Sequence, residues 1–511
     1  MKKLAIVFAL LNSLMPLALP AQINPNSKPC VPCEQLKNLR LPDVTILEAT
    51  SIKNDSIKGQ IIKVPFCRVL GRISKEINFE LLLPGQWNER FLMSGGGGFV
   101  GSIQNNFHRE VNAGYATAGT DAGHKGSGVD ASWGLNNMER QLDFGRLAIH
   151  LTTVVSKSII NTYYCKYPAY SYFLGCSRGG GQAMVEAQQY PADFEGIVAG
   201  APAFTWPATG AKFIQNSQKI FPDPKDLHKH VITKDNLRLL QELILKQCDA
   251  PDGVTDNIIN DPRDCKIDFS TFPICPDSLA SANCFTGQQL AAIRTVYAAL
   301  TYKQDTIFPG YPYGAENEKN GWDVWIAGTS PALPNLSLHY LFGTNMFKYL
   351  VFNDPDWNYG NYDFSTFFKD TKYASAYLDA TQTDYTEFKK RKGKMIMYHG
   401  WNDPALSAFE TIKHYQQVEQ KDKNIQSHIR LFLLPGVLHC VGGPGPDDVD
   451  WIKLIRDWVE NDKAPERIVL SKKEKGKIIM TRPVFPYPKV AVYSGKGDTN
   501  LEKNFIEKQK K

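Results

Sequence analysis

Between residues 46 and 83 the apolar positions fall in short alternating runs, ILEATSI, QIIKVPFCRVL and INFELLLP. A period of two over such lengths predicts antiparallel strands opening the domain. The pattern then changes. Phe91, Leu92 and Met93 lead into Ser94 and four glycines, and residues 115–121 (YATAGTD) form a second compact run, so both read as strands. Residues 140–156 (RQLDFGRLAIHLTTVVS) predict an amphipathic helix. Residues 170–174 (YSYFL) read as a buried strand, 179–189 (GGGQAMVEAQQ) as a helix and 196–202 (GIVAGAP) as a further strand. Apolar strands alternating with helices predict an α/β fold whose largely parallel sheet is covered on both faces.

From about residue 204 to 390 the periodicity weakens into mixed helices, acidic loops, two cysteine pairs and aromatic stretches, which predicts an inserted domain. Alternation resumes at residues 393–399 (GKMIMYH) and 428–435 (HIRLFLLP). Residues 22–203 and 391–511 are thus expected to build one sheet-bearing domain around the insertion.

Chemistry gathers where these strands end. Gly175-Cys176-Ser177-Arg178-Gly179 has the G-x-S-x-G form of a nucleophile elbow, and it lies between a predicted strand and a predicted helix, as that motif requires. Asp403 follows the strand at 393–399, and His439 follows the strand at 428–435. Sites in such sheets lie at the carboxyl ends of strands. The order serine, aspartate, histidine is the one found on α/β-hydrolase sheets. A serine hydroxyl is a poor nucleophile until a histidine takes its proton, and a carboxylate then holds the imidazole in the right tautomer. His124, His150 and His399 compete for the base role; His399 reads as a packed strand-end residue. Asn402 is an amide and offers no alternative acid. Backbone N–H groups of Arg178 and of Gly97 or Gly98 are the candidate oxyanion donors.

Composition narrows the setting. The 511 residues are 43% hydrophobic and 22% charged, with a formal charge of +6, which is ordinary globular material with no case for nucleic acid. Lys2 and Lys3 precede an interrupted apolar stretch ending near Ala21, which reads as a signal peptide over residues 1–21. No later segment approaches the length of a membrane-spanning helix. The mature protein is expected outside the cytoplasm, secreted or periplasmic, where ten cysteines read as disulfides rather than zinc ligands. Nothing in the chain speaks to oligomeric state.

Long stretches, among them YSYFLGCSRGGGQAMVEAQQYPADFEGIVAGAPA, CDAPDGVTDNIINDPRDC, YHGWNDPALS and LFLLPGVLHCVGGPGPD, resemble the tannase and feruloyl esterase family. The resemblance implies an α/β-hydrolase fold with a large lid after the elbow, and serine-dependent hydrolysis of esters of aromatic acids. Ser177 is implied as nucleophile, Asp403 as acid and His439 as base. It also implies the disulfides Cys176–Cys440, Cys33–Cys67 and Cys275–Cys284, with Cys248–Cys265 closing an acidic loop. Cys30 and Cys165 are left to pair or stay free. Phe485 stands where a family cysteine is expected, so the C-terminal segment lacks one bridge.

Asp249, Asp252 and Asp256 surround Gly253 in the acidic loop, and such close carboxylates call for a hard cation or for solvation as an acidic turn. The resemblance implies structural calcium held by these aspartates and the carbonyls of Val254 and Ile258. For the substrate, Leu406 is expected to face the acyl group, and Trp322, Trp325, Tyr311 and Tyr313 are candidate lid contacts. A small-molecule or cell-wall-linked ester of the feruloyl type is the first choice, with gallate and other aromatic esters next. The rivals are a non-catalytic binding protein on the same fold, and a glycosidase, which would need two carboxylates facing a sugar.

Overall fold

The computed structural model describes residues 24, 26–57, 59–276 and 281–510. The signal peptide and its cleavage point at Ala21 lie outside the described residues. A nine-stranded mixed sheet forms the centre, from β1 (Val44–Ile52), β2 (Phe66–Ile73), β3 (Ile77–Pro84), β4 (Arg90–Ser94), β5 (Ala116–Thr120), β6 (Tyr170–Cys176), β7 (Gly196–Gly200), β8 (Lys394–Gly400) and β9 (Ile429–Leu434). The spatial order is β1-β2-β3-β5-β4-β6-β7-β8-β9. β1 and β3 each pair antiparallel with β2, and β3 is antiparallel to β5; from β5 onward every neighbour is parallel.

Successive side chains of the parallel strands enter two different cores, which explains why these segments are apolar throughout. Phe173, Met395, Met397 and Leu431 join one cluster, with α1 (Ala148–Tyr164), α2 (Arg178–Gln189) and α7 (Ala408–Lys421). Tyr172, Leu174, Ile396, Tyr398 and Phe432 join the other, beneath Ile455 and Trp458 of α8 (Trp451–Asn461). Each such buried side chain is worth about 1.5–3 kcal/mol relative to exposure.

Between β7 and β8 the described residues add no strand to this sheet; the strands Leu300–Tyr302 and Asp305–Phe308 pair with each other. That stretch holds α3 (Trp206–Ile220), α4 (Lys234–Cys248), α5 (Gly287–Tyr297) and α6 (Leu338–Asn345). After α8 come two hairpins, β10 (Ile468–Glu474) with β11 (Lys477–Val484), and β12 (Lys489–Tyr493) with β13 (Phe505–Gln509).

One helix departs from the sequence reading. Residues 140–156 do not form a continuous α-helix: a short α-helix Met138–Leu142 passes through a π-helical stretch, Asp143–Leu147, into α1. Gly145 packs so tightly on Tyr377 that a Cβ would stand 2.2 Å from its carbonyl oxygen. The Arg178 guanidinium takes the carbonyl oxygens of Phe144 and Gly145. Both are tertiary contacts, invisible to local periodicity.

Five disulfides are present and none of the described cysteines is free. They join Cys30–Cys165, Cys33–Cys67, Cys176–Cys440, Cys248–Cys265 and Cys275–Cys284; the first is the pair the sequence left open. Among the described residues no helix is long and apolar enough to cross a membrane.

Candidate active site

Ser177 sits between β6 and α2 at φ 63°, ψ −123°. A residue with a Cβ rarely occupies this region, and holding it there costs on the order of 1–3 kcal/mol. The surrounding hydrogen bonds enforce it. The Ser177 N–H donates to the Gly200 carbonyl at 3.0 Å, and the Ser177 carbonyl accepts from Ala203 at 2.9 Å and Gly181 at 3.1 Å. Small residues are required on sterics: a Cβ on Gly175 would lie 2.4 Å from the Gly179 carbonyl carbon, and one on Gly181 would lie 1.9 Å from the Ala203 oxygen.

Asp403, three residues beyond β8, is buried. Its Oδ1 accepts the N–H groups of Ala405 at 2.8 Å and Leu406 at 2.9 Å, and its Oδ2 lies 2.8 Å from His439 Nδ1. Burial acts to raise the Asp403 pKa, but the facing His439 and the hydrogen bond from His399 outweigh it, holding the carboxyl well below the usual range. His439 follows β9, and the Cys176–Cys440 bridge, with Cα atoms 5.9 Å apart, joins the residue before Ser177 to the residue after His439. Ser177 and His439 line the same pocket. The competing histidines are engaged elsewhere: His124 Nε2 meets the Phe99 carbonyl at 2.8 Å, and His150 Nδ1 meets Asp193 at 2.6 Å.

The glycine run after β4 divides in two. Gly95 donates to the Leu174 carbonyl and Gly96 to the Gln182 side chain, whereas Gly97 and Gly98 donate to no described residue. Gly98, at φ 51°, lines the pocket and would place a Cβ 2.2 Å from the Gly128 oxygen. Arg178 is the first residue of α2, where N–H groups lack intrahelical acceptors and the helix dipole favours negative charge. Its side chain points inward, 1% exposed, with the guanidinium carbon 4.4 Å from the Phe144 ring centroid and 5.2 Å from that of Trp206. Burial, with the charge of Arg146 next, pulls its pKa down to about 9.

Trp206, Thr209 and Phe213 of α3, then Trp325, Phe342 and Met346, wall the pocket together with Ala405 and Leu406. Trp325 stands edge to face with His439, ring centroids 5.0 Å apart. Of the candidate contacts, Leu406 and Trp325 reach the pocket. Trp322 and Tyr313 instead pack on Tyr297, and the Tyr311 hydroxyl donates to the Ala405 carbonyl at 3.0 Å. The α3 wall was missed, although Trp206, Thr209 and Phe213 have the i, i+3, i+7 spacing of one helix face. Among the described residues no carboxylate lines this pocket. A larger cleft of about 230 Å³ lies between the acidic loop and the β12–β13 hairpin; Lys510 crosses it to Asp261 and Asp264, and no candidate nucleophile lines it.

In the acidic loop, Asp249 accepts the N–H groups of Asp256 and Asn257, and Asp252 accepts those of Val254 and Asn260. Asp256 accepts the N–H of Ile258 and pairs with Arg482 at 2.6 Å. Burial raises Asp252 to about 6, the charges of Asp256 and Asp249 adding to it. Among the described residues no three acidic, histidine or cysteine side chains converge as a preformed metal site. The donors are nevertheless all oxygen, on a loop closed by Cys248–Cys265, which suits a hard cation rather than zinc.

The family model for tannase and feruloyl esterase matches residues 59–507. An uncharacterized esterase of Xanthomonas campestris is 31% identical, covering 93% of this chain and 90% of its own. The mono(2-hydroxyethyl) terephthalate hydrolase of Piscinibacter sakaiensis is 30% identical, covering 86% and 84%. The crystal structure of feruloyl esterase B from Aspergillus oryzae superposes with a TM-score of 0.81 at 25% identity, covering 93% and 99%, and the fold is that of an α/β-hydrolase. With a serine, a histidine and a buried aspartate gathered at the carboxyl ends of three strands of this sheet, the chain belongs to the tannase and feruloyl esterase family of carboxylic ester hydrolases.

Proposed function

We propose that the protein hydrolyses feruloyl-type esters through an acyl-enzyme on Ser177. His439 takes the hydroxyl proton during attack and returns it to the departing alcohol; Asp403 fixes the imidazole tautomer and balances its positive charge. The N–H groups of Arg178 and of Gly97 or Gly98 receive the oxyanion, each donor contributing about 3–4 kcal/mol. A water then repeats the cycle to release the acid. The observation that carries this reading is the aromatic pocket shared by Ser177 and His439, with Asp403 bonded to the imidazole. Its walls suit a flat, largely apolar acyl group. The cation lining it, Arg178, is already engaged by two backbone carbonyls, which disfavours an acyl group carrying a second carboxylate. Gallate would leave several phenolic hydroxyls against carbon, a cost of about 1–3 kcal/mol per unpaired group.

The test is a panel of methyl ferulate, methyl gallate, a terephthalate monoester and p-nitrophenyl acetate. Methyl ferulate is expected to exceed methyl gallate and the monoester in kcat/KM by at least about tenfold. Preference for either of the others would reject the feruloyl reading while leaving an esterase. The five disulfides support work outside the cytoplasm, secreted or periplasmic.

We infer also that the acidic loop takes Ca²⁺ as a structural ion, through Asp249, Asp252, Asp256 and the carbonyls of Val254 and Ile258. Chelation with EGTA is expected to lower the melting temperature, and Ca²⁺ to restore it. Free Ca²⁺ at a hundred times its Kd corresponds to about 2.7 kcal/mol. An unchanged melting curve, with no calcium found by elemental analysis of unchelated protein, would dismiss the ion.

A further inference from the structure

His399, at the end of β8, is placed to do more than fill the core. Its ring is fully buried; Nε2 lies 3.0 Å from the Leu406 carbonyl oxygen and 3.2 Å from Asp403 Oδ2, and Nδ1 lies 2.8 Å from Thr411 Oγ1. A carbonyl and a carboxylate can only accept, so Nε2 must carry a proton and donate to them. In the neutral ring Nδ1 is then an acceptor, and the Thr411 hydroxyl donates to it. Thr411, on the buried face of α7, thereby satisfies Nδ1 in the tautomer that the two Nε2 acceptors select.

Asp403 Oδ2, the oxygen His399 reaches, is also the one that meets His439 Nδ1 at 2.8 Å. Oδ1 is held by the N–H groups of Ala405 and Leu406. The carboxylate is therefore held on both oxygens by protein donors. We propose that His399 is a positioning residue for catalysis: its Nε2–H holds Asp403 Oδ2 in the plane that His439 needs, and Thr411 anchors the opposite ring nitrogen. The proposal rests on the roles proposed above for Asp403 and His439. The same Nε2–H ties down the Leu406 carbonyl, so the acid and a wall of the acyl pocket share one anchor.

Packing alone would also bury a histidine here, and three variants separate the two. His399→Phe keeps a ring and removes the donor. It is expected to lower kcat about 30-fold with KM changed less than about twofold, since displacements at such sites act on the chemical step. His399→Gln places an amide donor at similar reach and is expected to recover kcat to within about threefold of the wild type. The downfield proton resonance of the His439–Asp403 hydrogen bond should move in the Phe variant and return in the Gln variant. Should His399→Phe fail to fold, Thr411→Val, which removes the hydroxyl that anchors Nδ1, is expected to lower kcat about five- to tenfold. Equal kcat in the Phe, Gln and wild-type proteins, whatever their melting temperatures, would overturn the proposal. So would equal losses in Phe and Gln. Asp403→Asn distinguishes the failures: if it leaves kcat intact, the triad reading is wrong; if it abolishes turnover while His399→Phe does not, only the role of His399 is wrong.

Discussion

Ser177→Ala is expected to reduce kcat toward p-nitrophenyl acetate by about 10⁶-fold, and Ser177→Gly to match that loss while folding about 1 kcal/mol more stably than the alanine variant. The two substitutions remove the same hydroxyl, so on the proposed mechanism neither retains a nucleophile for His439 to activate. They differ at the backbone. Alanine keeps the Cβ that φ 63°, ψ −123° penalises, and glycine does not. Relief of that strain is worth about 1–3 kcal/mol, from which the greater freedom of an unfolded glycine subtracts about 0.4–1 kcal/mol. The hydrogen bonds of the elbow involve backbone atoms alone and survive in both variants. Urea unfolding gives the stability difference, and loss of labelling by a fluorophosphonate identifies the reactive hydroxyl. Residual turnover near the wild-type level in either variant would place the nucleophile elsewhere. Equal stability of the two variants would mean that the sharp turn stores no more strain than the about 0.4–1 kcal/mol that the freedom of an unfolded glycine offsets.

The parts of the site that could be read in the sequence are those set by local sterics and by strand burial. β6, β7, β8 and β9 announce themselves because side chains on both faces are buried, so their residues are apolar without alternation. The elbow is legible because Gly175 and Gly181 leave no room for a Cβ and Gly179 leaves little. Other features depend on what the fold brings alongside. Trp322 and Trp325 lie one turn apart in the same short helix, yet one packs on Tyr297 and the other on His439, a distinction set by where the inserted stretch rests. His399 occupies a strand position that periodicity assigns to packing. Its contact with Asp403 arises because the chain turns back after Gly400, bringing residues four apart to 3.2 Å outside any helix. The π-helical stretch likewise answers to Arg178, which is distant in sequence. The walls of the pocket at Ser177 and His439 come largely from a stretch whose helices follow no repeating alternation, so their faces were readable but their neighbours were not.

Removing the bridge beside Ser177 and His439 should cost both stability and rate, and a second bridge supplies the control that separates them. Cys176 and Cys440 are 264 residues apart, and Cys30 and Cys165 are 135 apart. Chain entropy grows only with the logarithm of loop length, so the two closures are each worth about 5 kcal/mol at most. Replacing either pair by alanines is therefore expected to lower stability to a similar degree. Their effects on turnover should differ. The first pair flanks Ser177 and His439 directly, and its loss frees the loop after β9 to shift against the elbow; a displacement near 1 Å at such a site costs about 10²-fold in kcat. The second pair joins the N-terminal segment to the end of α1, away from the pocket, and its loss should leave kcat within about twofold when assayed well below the melting temperature. Measured on folded protein with the active sites titrated, a 100-fold loss confined to Cys176→Ala/Cys440→Ala would assign that bridge a geometric role in addition to its entropic one. Equal kcat in both double variants would show that the strands and the Asp403 hydrogen bond suffice to hold nucleophile and base in register, leaving the sulfur link as reinforcement of the fold.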